Sequence, residues 1–252
     1  MYVPHIKLRY GDSASVVPRK RVQENFDKGE LLLIKKKGEP IAALLLTYKE
    51  SCACMNWMGV RDGNWEFVSD GASAACYEFS FQRAEEKGCQ TIDLTRARPF
   101  LHDGLLLFKK TWWFALLDGV SHKFLLRVVS DSQATRTFLE NTPFIFERFG
   151  QLKGAVFVNG ETPLTLQMLR AINKEYFYAG MSELIVFQFS PRTTAAERRS
   201  TPNLLTELSM HQSADSSDTI RWKQLPRAEW LDLIKGLGFA GIEHAFAIYP
   251  TN

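Results

Sequence analysis

A mixed α/β fold (an α+β arrangement with mixed sheets) follows from three patterns in the 252-residue sequence. Three apolar segments with short polar breaks run from Leu31 to Val60 and predict a strand meander. A helical pattern from Asp70 to Lys87, followed at once by Thr91–Leu94, predicts a strand–helix–strand unit with parallel strands. Strand-like and helix-like segments then alternate to the C-terminus and predict an additional α/β region.

Taken in order, Leu31–Ile34 is apolar and runs into Lys35-Lys36-Lys37-Gly38-Glu39. A glycine after a charged run, with Pro40–Leu46 directly behind it, reads as strand, tight turn, strand. The lysines are either a solvated hairpin tip or a group that steers an anion. Lys49-Glu50-Ser51 breaks the pattern, and Cys52–Val60 is the third strand, antiparallel because the connections are short. Arg61–Asn64 is a loop by composition. The helix that follows has Ser69 or Asp70 to cap its start and Gly88 to stop it. The polar loop Arg96–Gly104 leads to a helix over Leu105–Trp113 and a strand over Lys123–Val129.

We expect one unit over residues 1–129 and a second over 130–252. In the second, Ala155–Val158 is a strand. Thr162 caps a helix with Pro163 in its first turn, which ends at Gly180. Glu183–Phe189 is a strand. Arg192–Asp218 is rich in Ser, Thr and charge and reads as a long loop. Pro226 begins a helix that Gly238 ends, and Ile242–Tyr249 is a final strand.

Composition narrows the function classes. With 45% hydrophobic and 23% charged residues the chain is ordinary globular protein. A net charge of +3 is too mild for the concentrated basic face of a nucleic-acid binder, so no nucleic-acid partner is expected. Cys52 and Cys54 lie two apart on one strand, with no CxxC pair or His cluster beside them, so no metal site is expected and the four cysteines read as free thiols. The first residues, MYVPHIKLRYGD, lack an apolar signal core, and apolar runs such as Ile41–Leu46 are far shorter than a membrane span. The expectation is a cytoplasmic protein with no membrane partner.

These elements, with the run Arg98-Pro99-Phe100-Leu101-His102-Asp103-Gly104 and the following Phe108-Lys109-Lys110-Thr111-Trp112, resemble the GNAT acyltransferase fold. The likeness covers Gly29–Trp113 and lies in the branch related to the peptidoglycan-bridge aminoacyltransferases; the C-terminal region could hold a second GNAT-like half. The resemblance implies an acyltransferase that moves an acyl group from acetyl-CoA or another acyl-CoA to an amine of a small molecule or peptide. It implies that the backbone of Trp57, Met58, Gly59 and Val60 pairs with the pantetheine arm. It also implies that the helix opening at Gly71, Ala72 and Ser73 receives the pyrophosphate. Unpaired N–H groups and the positive end of the helix dipole suit an anion there, and small residues allow close approach. The sequence departs from the family loop, with Val68 where a Gln or Arg is usual and Ser73 in place of the second small residue. A capped helix with a packing glycine is the other reading of the same residues.

For the chemistry, the resemblance implies a tyrosine on the helix after the strand as the acid, and Phe108 occupies that position. His102 is then the candidate base and Asp103 the group that orients it or binds the amine. Arg96 and Arg98 are candidates to hold a substrate carboxylate, with Lys109 nearby in sequence. His102 and Asp103 equally suit a turn and a helix cap. Two rival functions stay open: a GNAT-fold binding or scaffold protein without catalysis, and an aminoacyl-tRNA-dependent transferase.

Overall fold

A computed structural model describes residues 1–117, 126–161, 164–191, 220–234 and 242–249. The chain forms two compact units, Met1–Arg96 and Ala97–Asn252. Leu101 and Leu106, which follow Arg96, belong to a core built on the second unit's sheet.

The first unit opens with α1 (Tyr2–Tyr10) and α2 (Arg19–Phe26), followed by β1 (Gly29–Lys36), β2 (Glu39–Lys49) and β3 (Cys52–Val60). The three strands are consecutive antiparallel neighbours, as the spacing predicts. Lys37 and Gly38, both at positive φ, form the two-residue turn between β1 and β2. The short helix α3 (Trp65–Ser69) is capped by Asn64, whose side chain accepts from the Glu66 N–H, and α4 (Ala72–Glu86) follows. β4 (Thr91–Asp93) returns parallel to β3, giving the order β1-β2-β3-β4. α4 packs on the face carrying Leu44, Leu46, Met55 and Val60. Its outer end is tied to β1 by Glu30, which accepts from Arg83 at 2.7 and 2.9 Å and pairs with Lys87 at 2.7 Å.

The opposite face of this sheet is only partly covered by α1 and α2. An apolar cavity of about 100 Å³ remains there, bordered by Tyr2, Phe26, Leu31, Leu45 and Trp57.

The second unit contains α5 (Gly104–Lys110), α6 (Gln133–Asn141), β5 (Phe144–Arg148), β6 (Gln151–Val158), α7 (Leu166–Tyr176), β7 (Met181–Phe189), β8 (Arg221–Gln224), α8 (Arg227–Ile234) and β9 (Ile242–Tyr249). The sheet order is β5-β6-β7-β9-β8, with β6 and β7 parallel and the other neighbours antiparallel. Alternate residues of β7 enter two cores. Ile185, Phe187 and Phe189 join Leu139 and Phe157 on one face, and Leu184 and Val186 join Leu106 and Leu169 on the other. A strand buried on both faces reads as a continuous apolar run, which Leu184–Phe187 is.

Several expectations change. Neither Ser69 nor Asp70 caps α4; Ser69 ends α3, and Gly71 is the residue before α4. Residues 126–129 are not a strand, and 123–125 lie outside the described residues. The α7 cap is Thr165, which accepts from the Met168 N–H, while Thr162 and Pro163 lie outside the description. So do the 192–218 segment and Gly238.

Two outcomes test this packing. Leu44 is 2% exposed and Leu33 is 44% exposed. In denaturant unfolding, Leu44→Ala should cost about 2–5 kcal/mol and Leu33→Ala within about 0.5 kcal/mol. Hydrogen bonds from Arg83 and Lys87 hold the Glu30 carboxyl down to about 2, against an ordinary 4.5. A depressed acid contributes stability above its unfolded value and loses it as the folded value is reached. The contribution is therefore present above pH 4.5 and disappears as pH falls toward 2. The site is one-third exposed, so solvent screens the effect. Glu30→Gln should flatten that segment of the stability–pH curve.

Candidate functional site

The first unit offers an open strand edge and an uncapped helix start. β4 pairs with β3 only over Cys52–Cys54, opposite Thr91–Asp93. Beyond Cys54 the edge of β3 from Met55 to Val60 has no strand partner on that side among the described residues. The split coincides with a bulge: Leu44 faces Met58 and Leu46 faces Met55, so Asn56 and Trp57 together oppose Leu45. A bulge of this kind ends regular pairing and re-aims side chains. Trp57, Met58, Gly59 and Val60 all lie on this stretch. Trp57 borders the apolar cavity, and Val60 is fully buried. Gly59 is closely approached on its face: a Cβ there would stand 2.4 Å from the Tyr2 backbone nitrogen, so only glycine fits under the start of α1.

β3 leads through α3 to the N-terminus of α4. Gly71 has φ +89°, which a side chain would strain, and its missing Cβ faces open space. No side chain caps α4. Ala75 N–H makes the first helical bond, to the Gly71 carbonyl. The N–H groups of Ala72, Ser73 and Ala74 have no acceptor among the described residues. Ser73 is 8% exposed and its buried hydroxyl has no partner. A buried unmatched hydroxyl costs free energy unless something meets it. Asp70, whose charge would oppose an anion here, is ion-paired to Lys36 at 2.5 Å. One lysine of the hairpin tip is thus used to neutralise the acid beside the helix start. Small residues, orphan donors and a balanced acid together fit a phosphate-bearing ligand.

The second unit holds the expected proton-transfer residues. Asp103 is the cap of α5, where its Oδ1 accepts from the N–H groups of Leu105 and Leu106 at 3.0 and 3.1 Å. Its oxygen is committed to the backbone, and the structure does not pair it with His102. His102 instead lies across two helix C-termini. Nδ1 is 3.4 Å from the carbonyl of Asn141, the last residue of α6, and Nε2 is 2.6 Å from the hydroxyl of Tyr176, the last residue of α7. The Asn141 carbonyl only accepts, and the Tyr176 hydroxyl has one proton to share between His102 Nε2 and the neighbouring Glu175 carboxylate. Glu175 stands 3.6 Å from Nε2. Burial first, then Glu175, raises the Tyr176 phenol well above its ordinary value. Sequence reading missed Tyr176 because it lies 74 residues from His102.

Lys109 is 2% exposed, on the inner face of α5. Its neighbour Lys110 donates to the carbonyls of Lys174 and Glu175 at 3.0 and 2.6 Å and lies over the Tyr178 ring. Arg96 ends the first unit and Arg98 stands in the second; both are exposed. Phe108 packs edge-on against Trp112.

Among the described residues no group of three or more His, Cys, Asp or Glu is placed to hold a metal ion, and no helix is long and apolar enough to cross a membrane. No family model matches the chain, and no curated protein matches it.

The pairing of His102 with Tyr176 should be visible as coupling. A double-mutant cycle of His102→Ala and Tyr176→Phe on unfolding should give about 0.5–1.5 kcal/mol. Additive single effects would show that the two side chains act independently.

Proposed function

We propose that the chain is an acyltransferase of GNAT type that takes an acyl group from acyl-CoA and transfers it to an amine of a small molecule or peptide. The observation that carries this reading is the junction of β3 and α4, where an unpaired strand edge leads to an uncapped helix start with a buried, unmatched Ser73 hydroxyl. Ligands of α/β sheets bind outside the carboxyl ends of strands, and this junction is such a place.

The thioester donor supplies the activated acyl group. The chain's own groups do the rest. N–H and C=O groups of Met55–Val60 would align the amide-bearing arm as an added strand does. The N–H groups of Ala72, Ser73 and Ala74, with the Ser73 hydroxyl, would hold phosphate oxygens, and Lys36 keeps Asp70 from repelling them. Transfer forms a C–N bond and breaks a C–S bond. The amine gives up a proton and the departing thiolate takes one.

A second reading is favoured by one feature. Phe108 has no proton to give and Asp103 is occupied as a cap, so a protein that binds the donor without transfer would keep the β3–α4 junction and lose only the chemistry.

Thermal unfolding with acetyl-CoA and a longer acyl-CoA tests donor binding. At 100 times the dissociation constant, the bound state should gain about 2.7 kcal/mol. Ser73→Asp should weaken binding about tenfold or more, and unchanged affinity would remove the phosphate-site assignment. Lys36→Ala, which leaves the Asp70 charge unbalanced, should weaken binding several-fold, and adding Asp70→Asn should restore it. If the donor binds but no amine acceptor is acylated, the transfer reading falls and the donor site stands.

A further inference from the structure

The apolar cavity on the first sheet is built by the backbone of β3 and by a row of small residues. Leu31 of β1 lies opposite Leu45 of β2, and Leu33 opposite Ala43, so these side chains share the face away from α4. Met55 is buried on the α4 face, and plain alternation would send Trp57 there as well. The bulge at Asn56 and Trp57 breaks that parity. Trp57 therefore stands with Leu31, Ala43 and Leu45 around the cavity. In the next row Ala43 lies opposite Gly59, and Gly59 lets the start of α1 rest on the sheet. Tyr2 of α1 and Phe26 of α2 complete the lining, over the space that the small Ala43 side chain leaves.

Volume and lining select the occupant. The cavity holds about 100 Å³, and its surface is almost all carbon. Water needs roughly two to four polar partners, which hydrocarbon and ring faces do not supply. An apolar cavity of about 150 Å³ takes up a benzene-sized molecule, so this one suits roughly four carbon atoms. That is too small for a helix or strand of a protein partner and right for the end of a small ligand. Phe26 and Leu31 at its border are 49% and 45% exposed, apolar surface that such a ligand covers. Trp57 also belongs to the Met55–Val60 stretch, whose backbone edge is the place proposed for the donor's arm. The carbon chain carried by that arm is thus the apolar group delivered beside the cavity.

We propose that this cavity is an acyl-chain site, and that the donor carries an unsubstituted hydrocarbon chain of roughly four to six carbons rather than an acetyl group. The assignment rests on the acyl-CoA reading of the β3–α4 junction. It adds the identity of the group carried: apolar along its length, with no charged end.

Titration calorimetry with CoA, acetyl-CoA, butanoyl-CoA, hexanoyl-CoA and decanoyl-CoA separates the new claim from the reading it rests on. Each buried methylene adds about fourfold in affinity, so binding should tighten stepwise from acetyl to hexanoyl and level off by decanoyl. Succinyl-CoA, of butanoyl length but ending in a carboxylate, should bind no better than acetyl-CoA. Ala43→Phe fills the cavity; affinity for CoA itself should stay, and the gain with chain length should vanish. Leu31→Phe, at an exposed edge position where the fold tolerates change, narrows the same space from its border and should reduce the gain. Trp57→Ala widens it and should carry the gain past hexanoyl. CoA that binds with no response to chain length would overturn the acyl-chain site and leave the donor site standing. A gain that persists unchanged in folded Ala43→Phe and in Leu31→Phe would overturn it too. No binding of CoA or of any acyl-CoA would remove the donor reading, and the acyl-chain site with it.

Discussion

A turn can reverse a strand but cannot return it parallel to its neighbour, and that constraint organises both units. A parallel neighbour needs a crossover, and here the crossover is a helix each time. In the first unit the β2–β3 hairpin is followed by α4 and by β4 parallel to β3. In the second, the β5–β6 hairpin is followed by α7 and by β7 parallel to β6. The two crossovers differ in how far the parallel strands zip. β6 and β7 stay in register from Lys153–Glu183 to Val158–Gln188, and β9 seals the far side. β3 and β4 part after three residues. The same supersecondary unit thus becomes a closed core in one place and an open cleft edge in the other.

Local signals were enough for much of this. The β1–β3 meander, the start of β3 and the stop of α4 before Gly88 all rest on punctuation by glycine and charge, and such marks work without tertiary context. Three kinds of feature escaped. Short helices such as Trp65–Ser69 bury no residue and leave no apolar period. β5, Phe144–Arg148, shows no clean alternation because Phe144 and Phe146 pack into one core and Ile145 into the other. The start of α4 was misplaced, since Ser69 closes α3 and Gly71, at positive φ, is the residue that precedes α4. The candidate site was legible where it is local, as at Gly71–Ser73, and illegible where distant segments meet. Lys36 with Asp70 and His102 with Tyr176 are 34 and 74 residues apart.

The contrast between Asp103 and His102 shows how adjacent polar residues divide their work. Asp103 faces the start of α5 and satisfies orphan N–H groups. His102 faces the ends of α6 and α7, where carbonyls and a carboxylate collect negative potential. Their neighbourhood in sequence therefore says little about partnership. Lys110 repeats the logic at the carbonyls of Lys174 and Glu175, so the end of α7 is held by two cationic or protonatable side chains.

β7 carries a consequence of a different kind. From Leu184 to Phe189 every side chain is buried, and the strand is hydrogen-bonded on one edge to β6 and on the other to β9. No fraying motion can expose its amides to solvent without separating both neighbours and opening two cores. Its backbone protons should be the last in the second unit to exchange with deuterated water, at a rate set by whole-unit opening. Those of the β3 edge from Met55 to Val60 answer to a much smaller opening. The molecule thereby keeps two clocks, a slow one in the middle of its second sheet and a fast one along the open edge of its first.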